Sequence, residues 1–131
     1  MTYRLIGLMV FVFFFLFSGW VFSEGAKTNR SGESVGFVGE EEVVLTRVKE
    51  GRLMYPKSAL RRKLEGEVTI EYNVGIDGTV SSAYIVEANP PGRFDSAALR
   101  YVNSFEYTPY RHNGAPAEIE RIMVKIPFRV R

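Results

Sequence analysis

The sequence contains no cysteine and a single histidine, His112, among its 131 residues. Without cysteine the chain has neither a disulfide framework nor a thiolate metal site. His112 has no cysteine or carboxylate close by in the sequence with which it would form a metal site or act as a general base. We therefore predict no catalytic residues, no metal and no cofactor, and we interpret the chain as a protein that is not an enzyme.

The sequence also lacks an excess of charge of either sign. Lys and Arg total 17, Asp and Glu total 15, and the formal net charge is +2. Nucleic-acid binding relies on a strongly basic surface, so we expect no nucleic-acid partner. The densest cationic cluster, Arg61-Arg62-Lys63, is typical of a solvated helix face.

The N-terminal run at residues 5–23 contains no charged residue. As a helix it would extend roughly 28 Å, close to the thickness of the hydrocarbon core of a membrane. Two interpretations stay open, because this run is either a retained transmembrane anchor or a signal peptide cleaved after Ser23. In both cases the rest of the chain crosses the membrane. The anchor interpretation covers residues 1–23 and includes Leu5, Phe14, Ser18 and Trp20.

A polar stretch with few large apolar residues follows. Residues 25–39 are rich in Gly, Ser, Asn and charged residues, and Glu40-Glu41-Glu42 continues this composition. Such a composition is typical of a flexible tether, and Val43-Val44-Leu45 is only a weak strand signal. We therefore predict a flexible linker over residues 24–49, followed by a folded domain over residues 50–131.

The first half of this domain has the pattern of a helix followed by a β-hairpin. Pro56 suits the first turn of a helix, and Gly66 suits its end. Apolar and polar residues then alternate over residues 68–74, which predicts a half-buried strand. Asp77-Gly78 is a hairpin turn signal because both residues tolerate positive φ, and residues 80–86 form the returning strand.

The second half has the pattern of a helix followed by a strand. Apolar residues recur at helical spacing over residues 94–102, and Asp95 suits the start of that helix. Alternation over residues 122–130 predicts a final strand with one apolar face. Because Pro127 has no N–H to donate, we place this strand at the edge of the sheet. The order predicts an α+β fold with two helices packed on a small antiparallel sheet.

Short motifs are distributed along the domain at Tyr55, Pro56, Gly66, Asp77, Gly78, Phe94, Asp95, Tyr107 and Pro109. Their order resembles the C-terminal domain of the TonB energy-transducer family. The resemblance implies a single-pass inner-membrane protein with its C-terminal domain in the periplasm, or a soluble periplasmic protein if the N-terminal run is cleaved. It implies a motor of the ExbB/ExbD type and a TonB-dependent outer-membrane receptor as partners. The oligomeric state stays open, with a homodimer as one alternative.

The resemblance further implies that the final strand binds an extended receptor peptide by strand addition at the sheet edge. Backbone N–H and C=O groups of such an edge supply affinity, and the outward side chains supply selectivity. The alternative is that this strand completes the core and binds nothing. The predicted binding residues are Ile119, Arg121, Ile122, Met123, Val124, Lys125 and Ile126.

Two functions follow from these observations. The first is the coupling of proton-motive energy at the inner membrane to TonB-dependent transport across the outer membrane. The second is a periplasmic adaptor or scaffold that has the same fold and is not energised. Two departures from the family pattern favour the second, because the anchor has Ser18 but no histidine, and the linker lacks a proline-rich spacer.

Overall fold

The computed structural model describes residues 32–131. Within these residues, no helix has both the length and the apolar character needed to cross a membrane. The predicted anchor residues Leu5, Phe14, Ser18 and Trp20 lie outside the described residues.

The described residues form an α+β fold built on a six-stranded antiparallel sheet. The strand order in this sheet is β4-β3-β8-β1-β2-β5, and β6 pairs separately with β7. The elements in chain order are β1 (Glu33–Val38), β2 (Glu41–Lys49), α1 (Lys57–Arg61), β3 (Gly66–Val74), β4 (Val80–Asn89), α2 (Asp95–Asn103), β5 (Glu106–Tyr107), β6 (Arg111–His112), β7 (Ala115–Pro116) and β8 (Ile119–Phe128).

The hairpin of β3 and β4 forms where alternation and turn chemistry predict it. Every second residue of β3, from Val68 to Val74, is buried. In the turn, the backbone N–H and the hydroxyl of Thr79 donate to Asp77 Oδ1 at 3.1 and 2.8 Å. These two hydrogen bonds hold the pKa of the Asp77 carboxyl below its ordinary value, because they stabilise its charged form.

The two helices pack against the buried side of the sheet, as the sequence predicts. α1 begins directly after Pro56 and buries Ala59, although it ends at Arg61, earlier than the predicted stop at Gly66. α2 buries Ala97, Ala98 and Val102. Before α2, the backbone N–H of Gly92 donates to Asp95 Oδ1 at 3.0 Å, which fixes the entry into the helix. The predicted combination of two helices and an antiparallel sheet is confirmed.

Aromatic rings fill the space between the helices and the sheet. Phe94 stacks on Phe128 with ring centroids 4.4 Å apart, and Tyr55 meets both rings edge-on at 5.6 and 5.7 Å. Within residues 32–131 no polar or charged residue is buried in this core. The strand β8 is therefore backed by a rigid apolar layer.

The predicted flexible linker is wrong over residues 33–49, which form a hairpin of β1 and β2. We call these residues the N-terminal hairpin. Val43 and Leu45 of β2 are buried in the core, and Arg47 of β2 pairs with Tyr107 of β5. The physical reason is that period-two alternation at Val43 and Leu45 supplies enough burial to hold a strand. The polar residues around them lie at the exposed positions of the hairpin.

Candidate functional site

A β-bulge divides β8 into two parts. Glu120 and Arg121 are both exposed, whereas the rest of the strand alternates strictly. Arg121 has a φ of +57°, and its backbone N–H donates to Asn73 Oδ1 at 3.2 Å. The extra residue resets the alternation, so that Ile119 and Ile122 both face the core although they are three residues apart.

The two sides of β8 differ in their pairing. On one side β8 pairs with β3 along its length, from Val74 opposite Ile119 to Gly66 opposite Phe128. On the other side it pairs with β1 at one position, Phe37 opposite Glu120. No strand among residues 32–131 pairs with that side between Ile122 and Phe128. We call this stretch the open side of β8.

The prediction that β8 lies at the sheet edge at Pro127 needs correction for the start of the strand. In the sheet order β8 lies between β3 and β1, because the unforeseen N-terminal hairpin is placed beside it. The hairpin pairs only with the beginning of β8. The part of the strand after Arg121 still has one side without a strand partner among the described residues.

The backbone direction at the open side follows from Pro127. Proline is tolerated within a sheet where its nitrogen faces away from a ladder, and Pro127 lies opposite Glu67 of β3. We infer that the Pro127 nitrogen faces the open side. Because alternate residues of a strand point their backbone groups the same way, Met123 and Lys125 also direct their N–H and C=O groups to the open side.

The predicted binding residues divide between the core and the surface. Met123 and Lys125 are exposed, and Arg121 is exposed at the bulge. The other four, Ile119, Ile122, Val124 and Ile126, are buried. These four side chains cannot contact a partner on the outer face, although their backbone belongs to the strand. The exposed residues are the ones available for selectivity.

Charged side chains of both signs lie on the outer face beside the open side. Lys125 Nζ lies 3.2 Å from Glu67 Oε1, and Arg129 Nη2 lies 3.7 Å from Glu67 Oε2. One carboxylate therefore faces two cations here, and a second carboxylate lies beside them, because Glu65 Oε1 accepts a hydrogen bond from the Val130 backbone N–H at 2.9 Å. All three side chains are more than one third exposed, so solvent screens these ion pairs and each contributes little to stability.

The start of β8 is covered by the tip of the N-terminal hairpin. The Arg121 guanidinium lies over the Phe37 ring, 4.3 Å from its centroid, and Arg121 Nη2 donates to the Gly39 carbonyl at 2.5 Å. At Gly36, β1 lies so close that a Cβ there would be 2.5 Å from Ile119 Cγ2 and 2.7 Å from Ile122 Cγ1. The single pairing with Glu120 is thus reinforced by side-chain contacts.

The single histidine is part of a surface contact. His112 Nε2 lies 3.3 Å from Glu41 Oε2, which links β6 to the N-terminal hairpin. Within residues 32–131 no group of three or more His, Asp or Glu side chains is arranged to hold a metal ion. The open side of β8 has a defined chemical capacity, which is hydrogen bonding to an extended chain, and it shares this capacity with the outer edge of β4.

Comparison with known proteins identifies the family. Residues 51–130 match the family model described as Gram-negative bacterial TonB protein C-terminal. The chain belongs to this TonB C-terminal family. The N-terminal hairpin lies outside the matched residues.

Curated TonB proteins are similar to this chain over most of its length. Protein TonB of Helicobacter pylori (strain J99) is 28% identical over 106 residues, a match covering 81% of this chain and 36% of that protein. Protein TonB of Haemophilus influenzae is 26% identical over 106 residues, covering 81% and 38%. The chain thus spans little more than a third of the length of these relatives. The solved structure of the TonB2 protein from Vibrio anguillarum is 28% identical, with a TM-score of 0.49, covering 61% of this chain and 76% of that chain.

The TonB motif residues lie mainly in the core and the turns. Tyr55, which precedes Pro56, donates a hydrogen bond from its hydroxyl to the Leu64 carbonyl. A Cβ at Gly66 would lie 2.6 Å from Phe94 Cε2. Asp77 and Gly78 form the hairpin turn, Asp95 is the first residue of α2, and Pro109 lies near Gly78. These residues therefore hold the TonB fold, and none of them is on β8.

Tyr107 connects the motif residues to the N-terminal hairpin. Its hydroxyl is hydrogen-bonded to the Tyr72 hydroxyl and lies 3.0 Å from Ser34 Oγ. Burial raises the pKa of the Tyr72 phenol, and the neighbouring Tyr107 raises it further. The Tyr72 phenol therefore stays protonated at neutral pH. Ser34 thus joins the N-terminal hairpin to the pair of tyrosine hydroxyls. The sequence alone does not indicate this role of Ser34.

Proposed function

We propose that this domain binds an extended segment of a TonB-dependent outer-membrane receptor by adding it as a strand to the open side of β8. The observation that carries the proposal is the one-sided pairing of β8 among the described residues, from Ile122 to Phe128. An added strand would satisfy the backbone groups directed to that side, including the N–H groups of Met123 and Lys125.

The arrangement of β8 favours this mode because the strand is already held in its extended shape. β3 pairs with it along its length, and the side chains of Ile122, Val124 and Ile126 are buried. A pre-organised strand loses little conformational freedom when a partner binds, so more of the hydrogen-bond energy contributes to affinity.

For the whole chain we propose the role of a TonB-like energy transducer. Its anchor at residues 5–23 would lie in the inner membrane, its domain would lie in the periplasm, and an ExbB/ExbD-like motor would drive it. Membership of the TonB C-terminal family supports this proposal. A second candidate is a periplasmic adaptor that is not energised, and the observation favouring it is the absence of histidine beside Ser18 in the apolar run.

Strand addition is tested by removing one outward N–H from β8. Lys125 is half-exposed, and its backbone N–H is inferred to face the open side. Lys125→Pro removes this donor and leaves the groups that pair with β3 in place. We expect peptide affinity to fall about tenfold or more, since a lost backbone hydrogen bond and the proline ring both oppose pairing. The measurement is fluorescence anisotropy with labelled peptides tiled over the periplasmic N-terminal segments of the receptors from the same organism.

Lys125→Ala is the matched control, because it removes the same side chain and keeps the backbone N–H. We expect its affinity for the same peptide to stay within about threefold of that of the original chain, since a single exposed charge contributes little. Circular dichroism checks that both variants are folded. Equal peptide binding by a folded Lys125→Pro variant and by Lys125→Ala would contradict strand addition on this side.

A further inference from the structure

The hairpin tip, residues 37–40, stands at one end of the open side. Phe37 is paired with Glu120, which is the position immediately before the bulge of β8. An incoming strand that paired continuously along β8 would reach Glu120 after Ile122 and would meet the backbone of β1 there. The edge is therefore free over Ile122–Phe128 and occupied at Glu120.

Several contacts hold the tip in this place. The Arg121 guanidinium stacks on the Phe37 ring at 4.3 Å and donates to the Gly39 carbonyl at 2.5 Å. Arg121 thus makes both a cation–π contact and a charge-assisted hydrogen bond to the hairpin tip. The contact of Gly36 with Ile119 and Ile122 keeps the preceding residue of β1 against the core.

The rest of the N-terminal hairpin resists removal from the sheet. β2 buries Val43 at 5% and Leu45 at 2% of their full exposure, whereas no large side chain of β1 is buried to this degree. The hairpin is thus anchored through β2, and its tip is held mainly by Phe37, Gly39 and Arg121. A local opening of the tip would break few contacts, while the loss of the whole hairpin would expose part of the core.

We propose that this tip is an end-stop that closes the binding edge at Glu120 and confines the bound segment to the positions from Ile122 to Phe128. The proposal rests on the proposed strand addition to β8. Its partner is an extended segment of about seven residues, or roughly 23 Å of strand. Phe37 and Arg121 are the residues that set this length.

The test measures how affinity depends on peptide length in the full chain. The probe is the tightest-binding tiled peptide, shortened to its minimal binding core and then lengthened by its natural flanking residues, first at one end and then at the other. In the original chain we expect affinity to rise up to about seven residues and then to change by less than about twofold. Continued gains beyond that length at either end would overturn the end-stop.

Two variants test what sets the length limit, because one should extend the limit and the other should keep it. The double variant Phe37→Ala with Arg121→Ala removes the stacked pair, so a longer peptide competes with only one backbone bridge. We expect the first residues added beyond the limit to raise affinity about fivefold, near the effect of one net hydrogen bond. Phe37→Cys with Glu120→Cys locks the tip by a disulfide in a chain without other cysteines, and it should keep the original limit.

The controls separate the end-stop hypothesis from the hypothesis of strand addition to β8. Val48→Ala, an exposed change on β2 away from β8, should leave the length dependence unchanged. If short peptides bind and all variants show the same length dependence, the end-stop is wrong and strand addition stands. If no peptide of any length binds any variant, strand addition to β8 is wrong and the end-stop is overturned with it.

Discussion

At the scale of single residues, Gly78 shows why a motif position is required for the fold. Its φ is +85°, and a Cβ placed on it would overlap the carbonyl oxygen of Tyr107. The Tyr107 backbone N–H also donates to the Gly78 carbonyl at 2.8 Å. The turn of the β3–β4 hairpin is thus pressed against β5, and only a residue without a side chain allows this approach.

We predict that Gly78→Ala destabilises the domain more than Gly92→Ala does. Both glycines have positive φ, at +85° and +75°, so both substitutions carry a similar backbone cost of about 1 kcal/mol. A Cβ at Gly92 meets no atom within 4 Å, whereas a Cβ at Gly78 overlaps the Tyr107 carbonyl. The overlap should add about 1–3 kcal/mol to the loss in the free energy of unfolding.

Urea unfolding of the full chain in detergent, followed by circular dichroism, measures this difference. The midpoint should fall further for Gly78→Ala than for Gly92→Ala, with similar slopes for the two variants. Equal midpoints would mean that the close approach to Tyr107 relaxes at no cost.

At the scale of elements, the N-terminal hairpin decides the environment of β8. Its β2 strand contributes Val43 and Leu45 to the core, and its tip reaches Glu120 through Phe37. Placing the hairpin beside β8 changes an edge strand into an interior strand with one partly open side. The same residues therefore contribute to stability and set the boundary of the proposed binding edge.

We predict that Leu45→Ala destabilises the domain by about 2–4 kcal/mol, because it opens a cavity in the core. Leu45 is 2% exposed, whereas its neighbour Val44 is 55% exposed on the opposite face of β2. Val44→Ala is therefore the matched control and should change the free energy of unfolding by less than about 0.5 kcal/mol. Thermal and urea unfolding measure both variants. Equal, negligible effects would show that residues 33–49 behave as a tether after all.

Local patterns explain which elements the sequence predicts well. The strand at residues 68–74 and the helix at residues 94–102 have strong periodicity, and Asp77-Gly78 specifies its own turn. The sequence does not predict the N-terminal hairpin, because Gly39 and the following glutamates dominate the composition of its tip. The position of β8 depends on contacts between distant residues, such as Arg121 with Gly39, which are 82 residues apart. No local pattern carries that information, so the open side could be placed only with the structure.

At the scale of the whole molecule, the N-terminal hairpin shortens the distance available between membrane and domain. If residues 5–23 are the anchor, residues 24–32 span at most about 30 Å even when fully extended. A flexible linker over residues 24–49 would allow a far greater distance between the membrane and the domain. In the proposed transducer, the receptor segment would therefore have to be met close to the inner membrane, which gives the adaptor hypothesis added physical support.

The two whole-chain functions differ in which partners one chain holds at the same time. We predict that the tagged full chain, purified from detergent-solubilised membranes, retains an intact residue 5–23 segment and brings down both motor subunits and an outer-membrane receptor. Ser18→Leu should remove the motor subunits and keep the receptor, because the change adds bulk where a motor helix would pack. Lys125→Pro should remove the receptor and keep the motor subunits. Mass spectrometry of bait and prey measures all three. A bait that begins near Glu24 and carries a receptor without motor subunits would contradict the transducer and identify an adaptor.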